Sequence, residues 1–345
     1  MIKKAIEDGS YADVAARGIF WSDKYNGVYD YYPYIEIEYR NNKGLEGYWS
    51  FSSFSAGTGG AGYVNDYSGN LVYEIPLMST VSEIMPVSLS LVYNGYAAGM
   101  VHSSGINGAF RTTPGKGWKF NIQETVISSK EYGLTGEAAE QYPFVYTDGD
   151  GTEHYFVKTT EKDKNGNEKT VYKDEDGLGL ELEKVTDGTA TYKITDKQDN
   201  VRLFNAKGNL GIIKNSNGKQ IQIKYKDTNG DEIREKDKID KIIDGAGHTL
   251  TFDYYGEGES ELDYVLSVKD NAGRTVVLNT DDGYLKKVKY YDGTEVTVDY
   301  ENEEEGIINY VQTSDGNGLN FNYTSKSTGS RVSQVTEYGV TKDTS

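Results

Sequence analysis

The run Leu210-Gly211-Ile212-Ile213-Lys214-Asn215-Ser216-Asn217-Gly218-Lys219-Gln220-Ile221-Gln222-Ile223-Lys224-Tyr225 decides the fold. Apolar residues stand at 210 and 213, a glycine at 218, and then Ile221, Ile223 and Tyr225 alternate with polar residues. A period of two marks a strand with one buried face, and the Asn- and Gly-rich stretch before it is turn chemistry. The run reads as one hairpin, with the template Φ-x-x-Φ-x4-Gly-x-x-Φ-x-Φ-x-Tyr, where Φ is apolar.

The template recurs. Ile239, Ile242, Gly247, Leu250, Phe252 and Tyr254 fill a second copy. Val265, Val268, Gly273, Val276 and Leu278 fill a third, with Thr280 where tyrosine is expected. Leu285, Val288, Gly293, Val296, Val298 and Tyr300 make a fourth, and Ile308, Val311, Gly316, Leu319, Phe321 and Tyr323 a fifth. A sixth begins at Val332 and Val335. A lone hairpin of this size is marginal in water, so each unit must pair with its neighbours. The fold class is therefore all-β, with tandem antiparallel hairpins stacking into a spiralling sheet. Gly218, Gly247, Gly273, Gly293 and Gly316 are its turn residues, and Tyr225, Tyr254, Tyr300 and Tyr323 its recurring aromatics.

Upstream, strands also dominate. Tyr34-Ile35-Glu36-Ile37-Glu38-Tyr39 alternates, and Val87-Ser88-Leu89-Ser90-Leu91-Val92-Tyr93 alternates up to the Asn94-Gly95 turn. The Asp-Gly pairs in Tyr146-Thr147-Asp148-Gly149-Asp150-Gly151-Thr152 mark a hairpin. A short helix is expected only near 11–17, and Ser55–Gly62 is a glycine-rich joint. Three regions follow: 1–62, a small N-terminal β region; 63–204, a lead-in β region; and 205–345, the hairpin repeats.

Composition agrees with many half-wet strands. The 345 residues hold 30 Tyr, 40 Gly and only 5 Pro, and tyrosine packs its ring while its hydroxyl seeks water or a partner. A net charge of −18 argues against a phosphate-binding surface, which needs clustered Lys and Arg, so nucleic acid and anionic membrane surfaces are not expected partners. The absence of cysteine excludes disulfides and thiolate chemistry. No apolar run is long enough to span a bilayer, so no membrane insertion is expected. Met1–Asp8 lacks the apolar core of a signal peptide, which leaves an intracellular protein or, as the repeats favour, an internal piece of a larger one.

Few residues are candidates for chemistry. His248 sits in the second repeat's turn, where other copies carry Lys219, Arg274, Thr294 or Asn317, and reads as a solvated turn position. His102 beside Ser103 and Ser104 lacks a nucleophile elbow. His154 lies in an alternating strand and reads as structural. The acids are spread over turns and outward positions, so no glycosidase pair can be picked out, and no catalytic or cofactor-binding residue is assigned. Asp227, Asn229 and Asp231 form a candidate surface calcium site, the one cofactor considered. An EF-hand is excluded there, because glycine falls at loop position 4 and Lys238 at position 12. The aromatic cluster Tyr25, Tyr29, Tyr31, Tyr32, Tyr34, Tyr39, Tyr48 and Trp49 reads either as sandwich core or as a sugar-stacking platform, with Tyr48 and Trp49 the expected glycan contacts.

The repeats resemble the YD (tyrosine–aspartate) repeats of the RHS family. Asp66-Tyr67-Ser68-Gly69-Asn70-Leu71, Met85–Asn94, Gly115-Lys116-Gly117-Trp118 and Tyr146–Thr152 look like the segment that leads into such repeats. The stretch from Tyr29 to Asp66 looks like the end of a DNRLRE-type sandwich. The resemblance implies a non-catalytic scaffold segment of a large secreted or cell-surface protein, part of a shell that in toxin members encloses a C-terminal effector. Its implied partners are other segments of the same polypeptide, such an effector, and, on the alternative carbohydrate-binding reading, surface glycans. Two departures limit it. The strict Tyr-Asp-x-x-Gly motif survives only as the trace Tyr291-Asp292-Gly293, and no self-cleaving core segment is present. Proteolysis and toxicity are therefore not carried over.

Overall fold

The computed structural model describes residues 44–100, 114–162, 165–226, 238–256, 264–302, 306–326 and 329–339, with the backbone of two earlier strands. Those two, β1 (Asp13–Ile19) and β2 (Tyr34–Arg40), pair antiparallel, Val14 opposite Tyr39 and Ala16 opposite Ile37. The short helix expected near 11–17 is thus corrected over its described part. Pairing with the alternating Tyr34–Arg40 strand satisfies the backbone of 13–19, and tertiary pairing overrides the helical propensity of Ala15 and Ala16.

A five-stranded sheet follows in the order β3 (Phe51–Ser55), β4 (Ala61–Asn65), β5 (Leu71–Ser79), β6 (Ser88–Asn94) and β7 (Trp118–Phe120). The remainder is one antiparallel ladder in chain order. It opens with β8 (Thr125–Ser128), β9 (Phe144–Thr147), β10 (Glu153–Lys162), β11 (Glu168–Asp174), β12 (Glu181–Asp187), β13 (Ala190–Thr195) and β14 (Val201–Asn205). It continues through β15 (Leu210–Lys214), β16 (Gln220–Tyr225), β17 (Ile239–Ile243), β18 (Thr249–Tyr254), β19 (Val265–Asp270) and β20 (Thr275–Asp281). It ends with β21 (Tyr284–Lys289), β22 (Glu295–Asn302), β23 (Ile307–Thr313), β24 (Gly318–Lys326) and β25 (Gly329–Tyr338). The chain is thus all-β, an open ladder beside a small sheet, with α1 (Gly95–Met100), α2 (Ser129–Tyr132) and α3 (Gly136–Gln141) as short connectors. Strand pairing crosses both expected region boundaries, β3 to β4 over the glycine joint and β14 to β15 past residue 205.

Each template copy is the predicted hairpin, and its turn has a second determinant. Three residues before the glycine, the Asn215 carboxamide accepts from the backbone N–H groups of Asn217 and Lys219 at 3.1 and 2.9 Å. Asp244 and Asp270 do the same for their own turns. Gly218, Gly247 and Gly273 then close the reversal at φ +81°, +95° and +89°, where a Cβ would be strained.

The five-stranded sheet packs on the buried face of the ladder, and both share one hydrophobic core. Tyr73 meets Phe321 edge-on at 5.9 Å and Phe120 meets Phe252 at 5.2 Å. The sheet also grips successive repeats. Met85 O accepts from Gly245 N–H, Ser79 O from the Arg274 guanidinium at 3.4 Å, Pro76 O from the Tyr290 hydroxyl, and Gly69 O from Val332 N–H at 3.0 Å. The lead-in chain crosses the repeats as a brace.

Candidate functional site

The tyrosines of the template are tied down by one recurring bond. The Tyr225 hydroxyl donates to Leu210 O at 2.8 Å, Tyr254 to Ile239 O at 2.8 Å, Tyr300 to Leu285 O at 2.9 Å and Tyr323 to Ile308 O at 2.6 Å. Each reaches back 15 residues to the first apolar position of its own copy. That position falls at an irregularity in the pairing, for example between Lys224 and Tyr225 against Ile239, where a carbonyl lacks a ladder partner and the phenol supplies one. Burial raises the Tyr254, Tyr300 and Tyr323 hydroxyls well above their ordinary pKa, which keeps them as donors. The third copy departs for a visible reason. Thr280 Oγ1 donates to Pro114 O of the lead-in chain at 3.2 Å, and Tyr255 instead reaches Leu278 O at 2.9 Å.

Titratable groups converge where β7 meets the start of the ladder. Lys119, buried on β7, donates from Nζ to Gln123 O at 3.1 Å and to Asp148 O in the β9–β10 turn. His154 on β10 is 3% exposed, with Nε2 3.2 Å from Asp148 Oδ2 and Nδ1 2.9 Å from Asp176 Oδ2, and its ring stacks on Tyr146. Beside it, Glu124 accepts from the Tyr146 hydroxyl at 2.6 Å and from Arg202 Nε at 2.8 Å. Asn94 Nδ2 donates to Asp150 O, so β6 touches the same turn.

The electrostatics follow from burial against pairing. Burial opposes charge on His154, but its bonds to Asp148 and Asp176 outweigh it and carry the pKa up to about 10. Burial likewise pulls the Lys119 ammonium down against the opposing pull of Asp148, Asp150 and Glu124. Removal from water, then the Asp148 charge, pushes the Asp150 carboxyl up to about 7. Asp148 itself is held below its usual range: burial is overcome by the His154 bond and the His154 and Lys119 charges. Both His154 nitrogens face carboxylates, so this imidazolium holds charge instead of passing protons. The arrangement is an ionic joint between the two sheets.

The remaining residues singled out from the sequence are scattered. His248 lies in its turn, Nδ1 3.1 Å from Asp244 Oδ2. His102, the candidate calcium residues Asp227, Asn229 and Asp231, and Tyr25, Tyr29, Tyr31 and Tyr32 fall outside the described residues. Trp49 stands between Tyr48 and Tyr67, ring centroids 5.7 and 5.1 Å apart, and the two tyrosines are about half exposed. The rings tilt 50° and 59° to one another and do not form one flat platform. Tyr67 was legible only as part of the lead-in stretch Asp66-Tyr67-Ser68-Gly69-Asn70-Leu71. Lys119, Glu124, Asp176 and Arg202 carried no local signal, since the joint assembles them across 83 residues of chain, from Lys119 to Arg202. Among the described residues, no group of three or more His, Asp or Glu is placed to hold a metal ion, and no helix is long and apolar enough to cross a membrane.

No protein-family profile matches the chain, and no curated protein matches it. Among solved structures it is similar to a Photorhabdus luminescens Tc holotoxin pore carrying a TccC3 mutation, at 14% identity and a TM-score of 0.38 over 83% of this chain. It is also similar to TcdB2–TccC3–TEV, at 14% identity and a TM-score of 0.37 over 79%, and to TcdB2–TccC3, at 13% and 0.37 over 86%. The chain spans 16%, 16% and 18% of the lengths of those three chains.

Proposed function

We propose that the chain is a non-catalytic scaffold segment of the RHS type, whose work is to form continuous β-surface and hold other segments of its polypeptide. The observation that carries this reading is the tyrosine latch. In four copies the recurring tyrosine hydroxyl is spent on its own backbone. The ionic joint supports the same reading, because its charged groups satisfy one another or nearby carbonyls, and Lys119 of the five-stranded sheet bonds to Asp148 O of the ladder. A secreted or cell-surface location, and an effector enclosed by a longer shell, are parts of the proposal that rest on the motif resemblance.

A second reading, a carbohydrate-binding surface, draws support from the cluster of Tyr48, Trp49 and Tyr67. A glycan array run beside a hydrolase panel separates the two. The scaffold reading expects silence in both from the folded chain. A dose-dependent glycan signal that disappears in Tyr48→Ala and Trp49→Ala variants would overturn it in favour of the second, and turnover in the panel would overturn both.

A further inference from the structure

Seven Asn-Gly pairs stand in the sequence, at Asn26, Asn94, Asn107, Asn165, Asn217, Asn229 and Asn317. Such a pair is chemically fragile, because glycine has no side chain to shield its amide nitrogen from the preceding carboxamide carbon. The fold treats the pairs differently. Asn94 is buried, its Oδ1 accepting from Tyr96 N–H at 3.1 Å and from Asn70 Nδ2 at 3.2 Å while its Nδ2 donates to Asp150 O. Gly318 is buried in β24, paired opposite Gln312. Asn26, Asn107 and Asn229 lie outside the described residues.

Asn217 is exposed at the turn of the first repeat, and its carboxamide makes no hydrogen bond among the described residues. The one restraint on its neighbour is the bond from Gly218 N–H to Asn215 O at 2.9 Å. Ser216, Asn217, Gly218 and Lys219 are all exposed, so that bond can open locally without unfolding the ladder. The surroundings are cationic. Lys214 Cε lies 3.8 Å from where a Cβ of Gly218 would stand, whereas Gly166, Gly247, Gly273 and Gly293 have open space there. Lys219 follows Gly218 directly, and neither lysine is in an ion pair among the described residues. A nearby ammonium favours loss of the Gly218 amide proton and steadies negative charge on an attacked carbonyl. The fourth and fifth copies carry Asp292 and Asp315 in the place of Asn217, with Oδ1 accepting from Thr294 N–H at 2.9 Å and Asn317 N–H at 3.3 Å. An aspartate is therefore at home in this turn.

We propose that Asn217-Gly218 is a self-modifying site in the folded chain, where Asn217 converts to aspartate and isoaspartate with water as the only co-reactant. Hydroxide takes the Gly218 amide proton, and the nitrogen bonds to Asn217 Cγ. The Cγ–Nδ2 bond then breaks and ammonia leaves, its last proton drawn from water, which closes a succinimide. Water opens that ring at either carbonyl. One water is consumed and one ammonia released for each residue converted, with no change of oxidation state. The aspartate product repeats the fourth and fifth copies. The isoaspartate product adds one carbon to the main chain between residues 217 and 218, which displaces Gly218 N–H from Asn215 O and loosens the pairing of Ile213 with Ile221 beyond the turn. The inference goes beyond the scaffold reading and does not depend on it.

The test holds the full chain at mildly alkaline pH, folded and in urea, and maps its peptides over time by mass and by isoaspartate content. In the folded chain Asn217 should convert while Asn94 stays intact, and in urea both should convert. Lys214→Gln with Lys219→Gln, two exposed changes, should slow Asn217 about threefold, the weight of exposed charge interactions. The same variant should leave Asn165 unchanged, since no side chain approaches Gly166. An Asn217 that converts in urea but stays intact in the folded chain overturns the proposal, because the Gly218–Asn215 bond then keeps the amide closed. Equal conversion of Asn94 in the folded chain overturns it as well, because unfolding and not the turn would set the rate. A lysine variant that converts at the unaltered rate removes the electrostatic basis of the site and overturns it too.

Discussion

Trp118 Nε1 donates to the Tyr300 hydroxyl at 3.1 Å, and that hydroxyl in turn donates to Leu285 O at 2.9 Å. One phenol thereby ties the lead-in sheet to a repeat and the repeat to itself. Tyr300→Phe strands a buried donor and a buried acceptor, at about 1–3 kcal/mol each. Tyr225, half-buried, serves the same bond near the surface, and Tyr225→Phe should cost about 1 kcal/mol. Urea unfolding should rank Tyr300→Phe well below Tyr225→Phe, and equal losses would contradict the dual role.

The ionic joint gives stability a defined pH dependence. His154 and Asp150 both have pKa values raised in the folded chain, to about 10 and about 7. A raised folded pKa contributes stability that is full below the unfolded value and is lost as pH rises through the folded one. The melting temperature should therefore fall as pH climbs from about 5 through 7, and fall again toward 10. His154→Gln should flatten the upper limb of that curve.

Lys119 is held at that joint by backbone carbonyls, with the Asp148, Asp150 and Glu124 charges as its counterweight. Lys119→Met removes one partner of a buried charged network and should destabilise by roughly 3–5 kcal/mol in denaturant unfolding. A neutral outcome would mean that water enters the joint.

Two glycine classes should respond differently. A Cβ on Gly208, at φ +81°, would stand 1.8 Å from Val126 O, so Gly208→Ala should break the seal of β8 as well as strain the turn. Gly273→Ala, at φ +89° with open space around it, should cost only the conformational term of about 1–2 kcal/mol. In the β13–β14 turn Asp199 occupies the glycine position at φ +61°, and Asp199→Gly should be neutral or gain a few tenths of a kcal/mol. Thermal melts of the three variants supply the ranking.

Hairpin, turn and tyrosine were legible because each is written within about twenty residues. Ile221, Ile223 and Tyr225 alternate, and alternation is read off the chain directly. The latch acceptor was not legible, because Leu210 O becomes available only where the pairing slips. Asn215, Asp244 and Asp270 stood in plain view three places before their glycines, yet the template left them unmarked. The brace and the joint depend on contacts such as Arg202 with Glu124, 78 residues apart, which no local period encodes. Ala15 and Ala16 misled for the converse reason, since their local preference yields to a partner strand more than twenty residues away.

The brace has a consequence for how the protein is made. Pro76 waits for Tyr290 and Tyr93 for Gly306, separations of 214 and 213 residues. The five-stranded sheet leaves the ribosome before the ladder and cannot finish its own packing until the strands flanking Tyr290 and Gly306 exist. The early-made half must therefore wait with part of its core unpaired until those strands are made, a slow path set by topology.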